Sequence, residues 1–213
     1  RVAARLGAVR HYIADGHHRV AATVARWRDH GSPRGGSVLS VLYPDDQMHL
    51  LAFHRRVSGP VDTDRLLSEL RARFDVQPSA TPERGPSKVG LRVGRAWYSI
   101  PLAAGGEPGV LGLDVTALDE QILRPGLGIA SGDERVTYVS ELADLDSAVD
   151  QVDSEGGALF LLSAPSLDQL IAVAERGEVM PQKSTYIEPK PRAGVFLRPR
   201  QGPVGPQRLS TSS

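Results

Sequence analysis

The sequence predicts an α+β fold, with a mixed or antiparallel sheet and helices packed on it. Three observations carry that expectation. Apolar runs of strand length are interspersed with stretches whose apolar residues repeat every three or four positions. Several strand-like runs are close neighbours joined by short turns, so they pair locally instead of through crossover helices. The chain has 213 residues, 40% hydrophobic and 23% charged, which is enough to build a core without covalent staples.

Each element has its own signal. Val9–Asp15 (VRHYIAD) is expected as a short buried strand of β-branched and aromatic residues, stopped by Asp-Gly. From Gly16 the period changes: Val20, Val24 and Trp27 predict an amphipathic helix from Gly16 to Arg28, ended by Gly31, Pro33, Gly35 and Gly36. SVLSVLYP and MHLLAFHRRV flank Asp45-Asp46-Gln47 and are expected to form an antiparallel pair. Asp62 to Phe74 is a helix with Asp62 or Thr63 as its cap and Leu66, Leu67 and Leu70 inside. Residues 76–88 are a Pro/Ser/Gly-rich loop. VGLRV and AWYSIPL are strands around Gly94-Arg95, and Gly105–Gly109 is a mobile tip. A helix from Leu113 to Leu123, capped by Asp114 or Thr116, is closed by Pro125, Gly126 and Gly128. VTYV is a strand, and Ser140 caps a helix reaching about Val152. GALFLL is a buried strand. Ser166 caps LDQLIAVAERG, which ends at Gly177. Gly194–Arg198 is a last strand, and Gln201–Ser213 is Pro/Gly/Ser-rich and expected to be disordered. Trp27 and Trp97 are read as core aromatics.

Composition excludes several classes of function. With no cysteine there is no disulfide framework, no Cys-ligated zinc, no iron–sulfur cluster and no thiol nucleophile. No run approaches the ~18–20 apolar residues of a membrane span. Expected partners therefore do not include a membrane, and a cytoplasmic location is expected. Net charge is zero but unevenly distributed. Residues 1–56 hold nine basic and four acidic side chains, residues 57–178 ten and twenty, and residues 179–213 six and one. Basic ends suit an anionic ligand if the fold joins them, whereas a solvated acidic middle would explain the same numbers. Nucleic acid is not an expected partner, because aromatic and basic residues do not interleave and no recognition helix is evident.

The segment with the most chemistry is Asp15-Gly16-His17-His18-Arg19, at an expected strand-to-helix junction. The first amides of a helix lack intrahelical acceptors and carry partial positive charge, so such a junction binds phosphate or carboxylate. Gly16 allows close approach of the backbone. Arg19 can fork onto phosphate oxygens. His17 and His18 can donate to an anion or move a proton near neutral pH. Asp15 can act as a base toward a hydroxyl or hold Mg²⁺. The bland alternative is an Asp N-cap on an Asp-Gly turn. Adjacent histidines point apart on a helix, so a His17–His18 zinc clamp is poor geometry. A second segment, Met180–Lys190, brings Lys183, Ser184, Thr185 and Lys190 between three prolines. It could bind nucleotide phosphates or a substrate carboxylate, or be a polar connector, and no Walker A pattern occurs in the chain. His54 and Arg55, at the end of an expected strand, are candidates for a further anion contact or an exposed strand end.

YIADGHHR followed by a helix resembles the signature of the bacterial and archaeal domain of unknown function 1015 family. The resemblance continues through Leu51–Arg55, LDVTALDEQILRPGLGI and MPQKSTYIEPKPRAGVFLRP, covering about residues 11–199. The Arg1 start and the missing family first half suggest the C-terminal part of a longer protein. The DGHHR element also resembles the loop of ParB/sulfiredoxin-like proteins, among them nucleotide-dependent kinases of free L-serine. Lys183-Ser184-Thr185 is similar to those kinases' Lys-(Ser/Thr)-Thr element. Two positions depart from the family pattern, Val20-Ala21-Ala22 after the loop and Phe53 before the second His-Arg. The resemblance implies a ParB/sulfiredoxin-like phosphate-binding core over residues 1–56, an α+β domain over 57–199 closing the site, and a tail over 200–213. It implies a kinase that moves phosphate from ATP or ADP to a free amino-acid hydroxyl, with L-serine the first candidate and Mg²⁺ as cofactor. Asp15, His17, His18 and Arg19 would be catalytic, with Asp15 also the metal ligand. Gly16, His54, Arg55, Lys183, Ser184, Thr185 and Lys190 would hold nucleotide or phosphate. A nucleotide- or nucleic-acid-binding regulator of the ParB type, or a phosphatase or nuclease using the same anion site, remain the other readings.

Overall fold

The computed structural model describes residues 2–30, 38–104, 107–130, 132–192 and 194–195, with Val2, Ala3 and His30 described as backbone only. In chain order the elements are α1 (Val2–Leu6), α2 (His17–His30), β1 (His49–Val57), α3 (Thr63–Arg71), β2 (Gln77–Ser79), β3 (Lys88–Val93), β4 (Ala96–Pro101), α4 (Asp114–Leu118), α5 (Arg124–Leu127), β5 (Val136–Ser140), α6 (Leu145–Glu155), β6 (Ala158–Leu161), α7 (Leu167–Glu175) and β7 (Thr185–Glu188). A π-helical turn, Asp119–Leu123, joins α4 to α5. The chain divides into two compact units: residues 1–14 with 44–189, and residues 15–43 with 190–213.

The first unit is built on one sheet in the order β2-β4-β3-β6-β1-β5, with β7 added along β1. Every pairing is antiparallel. The fold is α+β. β1, next to the edge strand β5, is the strand with the most partners. It pairs with β5 over Phe53–Val57, with β6 over Arg55–Val57, and with β7 over His49–Ala52. Both faces of the sheet are covered. Ala158 and Phe160 of β6, with Val89, Leu91 and Val93 of β3, join α3, α4 and the π turn in the larger core. Leu159 and Leu161 face the other way, onto Ala148 and Val152 of α6 and the half-buried Trp97. A strand covered on both faces reads as a continuous apolar run, and β6 does. Each fully buried Leu or Phe in these layers contributes about 1.5–3 kcal/mol.

The helix starts follow capping chemistry. Asp62 accepts from the Arg65 N–H (3.0 Å), Asp144 from the Asp146 N–H (3.1 Å), and Ser166 with Gln169 makes a reciprocal capping box. Gly94 and Arg95, both at positive φ, form the two-residue turn between β3 and β4. Among the described residues no helix is long and apolar enough to cross a membrane.

Several local expectations are corrected. Val9–Asp15 is not a strand and is largely exposed, because no neighbouring strand offers it a ladder. Residues 38–44 do not pair with β1 either. The partners of β1 come from far along the chain, which local turn signals cannot show. Residues 77–79, read as loop, pair with β4. Ser140 ends β5 instead of capping a helix; α6 starts at Leu145 behind Asp144. The 113–123 helix has no side-chain cap and does not stop at Pro125. Arg124 donates its N–H to Asp119 O, a five-residue step, and the helix then runs through Pro125 to Gly128, where φ is +63°. Widening the turn ahead of a proline absorbs its missing N–H. Gly105–Gly106, residues 196–198 of the last expected strand and the tail from residue 199 lie outside the described residues; Gly194 and Val195 are not in a strand.

The second unit is organised by α2, which matches the expected helix. Its apolar face is not buried as expected: Val24 and Trp27 are 37% and 48% exposed, and Val20 is half-buried.

Candidate functional site

Within the second unit the chain turns at Asp15-Gly16 into α2. Gly16 has φ +86°, a conformation that L side chains rarely adopt, and its carbonyl accepts the N–H groups of Arg19 (2.9 Å) and Val20 (3.1 Å). The Arg19 guanidinium folds back over Gly16, so a Cβ there would sit 3.3 Å from Arg19 Nε. His17 and His18 occupy the head of the helix, exposed, where the backbone amides point at solvent. The Asp15 carboxylate lies between two cations: Arg19 Nη2 is 4.0 Å from Oδ2, and Lys190 Nζ is 4.0 Å from Oδ1. Lys190 arrives from the far end of the chain. These pairs are solvent-exposed and worth at most about 1 kcal/mol each, so they gather charge without locking the carboxylate. The result is a helix N-terminus with two cations and one accessible carboxylate, suited to an anion beside a hydroxyl.

The remaining expected site residues belong to the first unit. Lys183 sits in a turn at φ +51°, ahead of β7. Arg55 is buried and holds that turn: its Nη1 donates to Lys183 O (3.0 Å) and Phe53 O (3.1 Å), and its Nη2 to Gln182 O (3.4 Å). The guanidinium also lies 4.6 Å from the Tyr138 ring centroid. Ser184 is buried, its hydroxyl donating to Pro181 O. Thr185 pairs opposite Ala52. The Lys183 ammonium stands 5.4 Å over the Phe53 ring, so Phe53, the family-atypical residue, packs against the lysine. His54 is buried, with the Leu162 N–H pointing at Nδ1 (3.3 Å) and Arg84 Nη1 3.1 Å from Nε2. Burial, and then the Arg84 charge, hold the imidazole down at about 4. Arg84 also donates to Glu141, whose other oxygen accepts the Ala52 N–H (2.8 Å). Arg84 and Glu141 were not singled out in the sequence. They sit in a polar loop and just past a strand end, with no periodic or motif signal to mark them.

Thus Asp15, Gly16, His17, His18, Arg19 and Lys190 come together in one unit, and His54, Arg55, Lys183, Ser184 and Thr185 in the other. Among the described residues no three His, Asp or Glu side chains converge to hold a metal. Asp15 alone fits the pattern of Mg²⁺, which takes one or two carboxylates and completes its shell with water and phosphate oxygens.

A model of the family described as "Protein of unknown function (DUF1015)" matches residues 1–121. The chain belongs to the DUF1015 family. Solved structures similar to this DUF1015 chain include a free serine kinase in complex with AMP (21% identity, TM-score 0.46) and a variant free serine kinase in complex with ADP (21%, 0.43). In both, the likeness covers 82% of this chain and 66% of the kinase chain, so the DUF1015 chain spans just under two thirds of their length. A conserved hypothetical protein from Pyrococcus furiosus is similar at 20% identity, TM-score 0.45, over 82% of this chain and 68% of its own. No curated protein matches the sequence.

Proposed function

We propose that this DUF1015 protein is a nucleotide-dependent small-molecule kinase that phosphorylates the hydroxyl of a free amino acid, with L-serine the leading acceptor. The observation that carries the proposal is the Asp15 carboxylate at the head of α2, set 4.0 Å from both Arg19 and Lys190. Phosphoryl transfer needs positioning and charge stabilisation more than covalent chemistry, and this arrangement offers both. The amides after Gly16, His17, His18 and the Arg19 fork would hold the transferred phosphoryl group. Asp15 would take the acceptor's hydroxyl proton as its oxygen bonds to phosphorus, while the bond to the bridging oxygen breaks and the nucleotide leaves with that electron pair. Mg²⁺, when bound, would sit on Asp15 and phosphate oxygens and neutralise phosphate charge. Lys183, Ser184 and Thr185, on the turn held by Arg55, would bind nucleotide phosphate, with Arg55 and His54 acting through that turn. The enzyme would work on soluble metabolites in the cytoplasm.

The test is turnover of the natural full-length protein with ATP or ADP and a panel of free hydroxy amino acids, with products read by mass spectrometry. Phosphoserine is the expected product. Asp15→Asn is expected to lower turnover by ~10²–10⁴ while leaving nucleotide affinity within a few-fold, because a general base acts on the acceptor. No phosphorylated amino acid from any donor overturns the proposal. Release of inorganic phosphate without an acceptor would make the site a hydrolase instead.

A further inference from the structure

A cavity lies wholly within the first unit. It holds about 240 Å³, roughly eight water volumes at ~30 Å³ each, and is bordered by Arg55, Thr116, Asp119, Arg124 and Tyr138 among apolar side chains. Drug-sized ligands fill larger spaces, of ~300–1,000 Å³, so this one suits a small metabolite.

The polar groups that border it have unusual vacancies. Arg55 spends Nη1 and Nη2 on the carbonyls of residues 53, 182 and 183, and its Nε–H makes no hydrogen bond among the described residues. Asp119 opens the π-helical turn, and its side chain makes no ion pair or hydrogen bond among the described residues. Burial raises its pKa and the Arg55 charge partly offsets this, so the two groups feel each other without touching. The Thr116 hydroxyl is buried with no partner, the one such side-chain atom among the described residues. A buried hydroxyl left unpaired costs about 1–3 kcal/mol. π turns inside α-helices recur at functional sites.

The charges define the ligand. Two cations, Arg55 and Arg124, and two carboxylates, Asp119 and Glu120, border the cavity, and Arg124 is already paired with Glu120 at 2.8 Å. A simple anion would meet Asp119, and a simple cation would meet Arg55. A molecule carrying both charges would satisfy both poles at once. We infer that this cavity is a binding site for a free α-amino acid, its carboxylate on Arg55 and its ammonium on Asp119. Guanidinium matches carboxylate in geometry as well as charge. The inference does not depend on phosphoryl transfer.

The experiment is isothermal titration calorimetry of the full chain, without nucleotide, against L-serine, L-threonine, L-alanine and L-valine. Saturable one-to-one binding of at least one is expected. Its N-acetyl derivative, its amide and acetate should each bind tenfold or more weakly, since each lacks one of the two charges. Asp119→Asn, which spares the carbonyl contacts of Arg55, should weaken binding tenfold. The analogue series needs no variant, so it tests the site even if a substitution fails to fold. No binding by any amino acid overturns the proposal, as does acetate binding equally well. Binding lost in Asp15→Asn yet kept in Asp119→Asn would also overturn it, while leaving the kinase reading intact.

Discussion

His54 should make this protein acid-sensitive between about pH 6.5 and pH 4. Its imidazole is 3% exposed, and donors face both ring nitrogens: the Leu162 N–H at Nδ1 and Arg84 at Nε2. An imidazolium would carry N–H groups toward two donors, so the folded state rejects the second proton. The folded pKa is about 4 against 6.5 for the free group. The unfolded chain therefore binds the proton first, and stability rises with pH across the window. The contribution is complete above about pH 6.5 and is lost as pH falls toward 4. At ~1.36 kcal/mol per pKa unit, the full effect is about 3 kcal/mol, of which about 2 falls between pH 7 and pH 5. The assay is urea unfolding at both pH values for the wild type and for His54→Asn, whose side-chain oxygen can take the Leu162 N–H. The variant should be less stable at pH 7 and lack this component of the slope. Equal slopes in the two proteins would refute the reasoning and mean that the fold does not disfavour the second proton on His54.

Other expectations follow from single contacts. Arg19→Ala should weaken both nucleotide binding and turnover, because a phosphate fork acts in the ground state and the transition state alike; calorimetry and kinetics on the full-length protein read the two separately. Asp153→Asn should cost about 1–2 kcal/mol in chemical denaturation, since Arg92 donates to both carboxylate oxygens (3.0 and 2.6 Å) in a largely covered pair on the α6 face. Ser166→Ala should cost about 1 kcal/mol by removing the oxygen that accepts the Gln169 N–H, read as a lower urea midpoint with an unchanged slope.

Much local chemistry was legible where the signal and its consequence lie a few residues apart, although Ser140 and Asp114 do not cap the helices they were expected to cap. The Asp62 and Ser166 caps, the Gly94-Arg95 turn and the Leu66, Leu67 and Leu70 face all follow from short-range spacing, and the fold forms each of them. The misreadings share another cause. β1 looks like one half of a hairpin with residues 38–44, yet its partners are β5, β6 and β7. Nothing near β1 in sequence could have told these apart, because pairing energy depends on which edge is available. Val9–Asp15 fails for the same reason in reverse: strand propensity without a free edge yields no strand. Pro125 reads as a stop, but one widened turn carries the helix past it.

The candidate site divides along the same line. The DGHHR turn was legible because Gly16 supplies both the positive φ of this turn and the carbonyl that takes the first helical N–H groups, inside one motif. Lys190 could be suspected only as a cation in a basic block; its place beside Asp15 is a tertiary fact. Arg55 shows the limit most clearly. From sequence it is a charge at a strand end, open to an anion. In the fold it is buried, its N–H groups spent on the carbonyls around Lys183. Burying a guanidinium is costly unless its donors are used, and here the backbone of residues 53, 182 and 183 uses most of them. Arg55 also borders the cavity that Asp119 shares. The residue's significance thus passes from a contact it was expected to make with phosphate to the turn it fixes and the pole it presents, and neither is encoded near position 55.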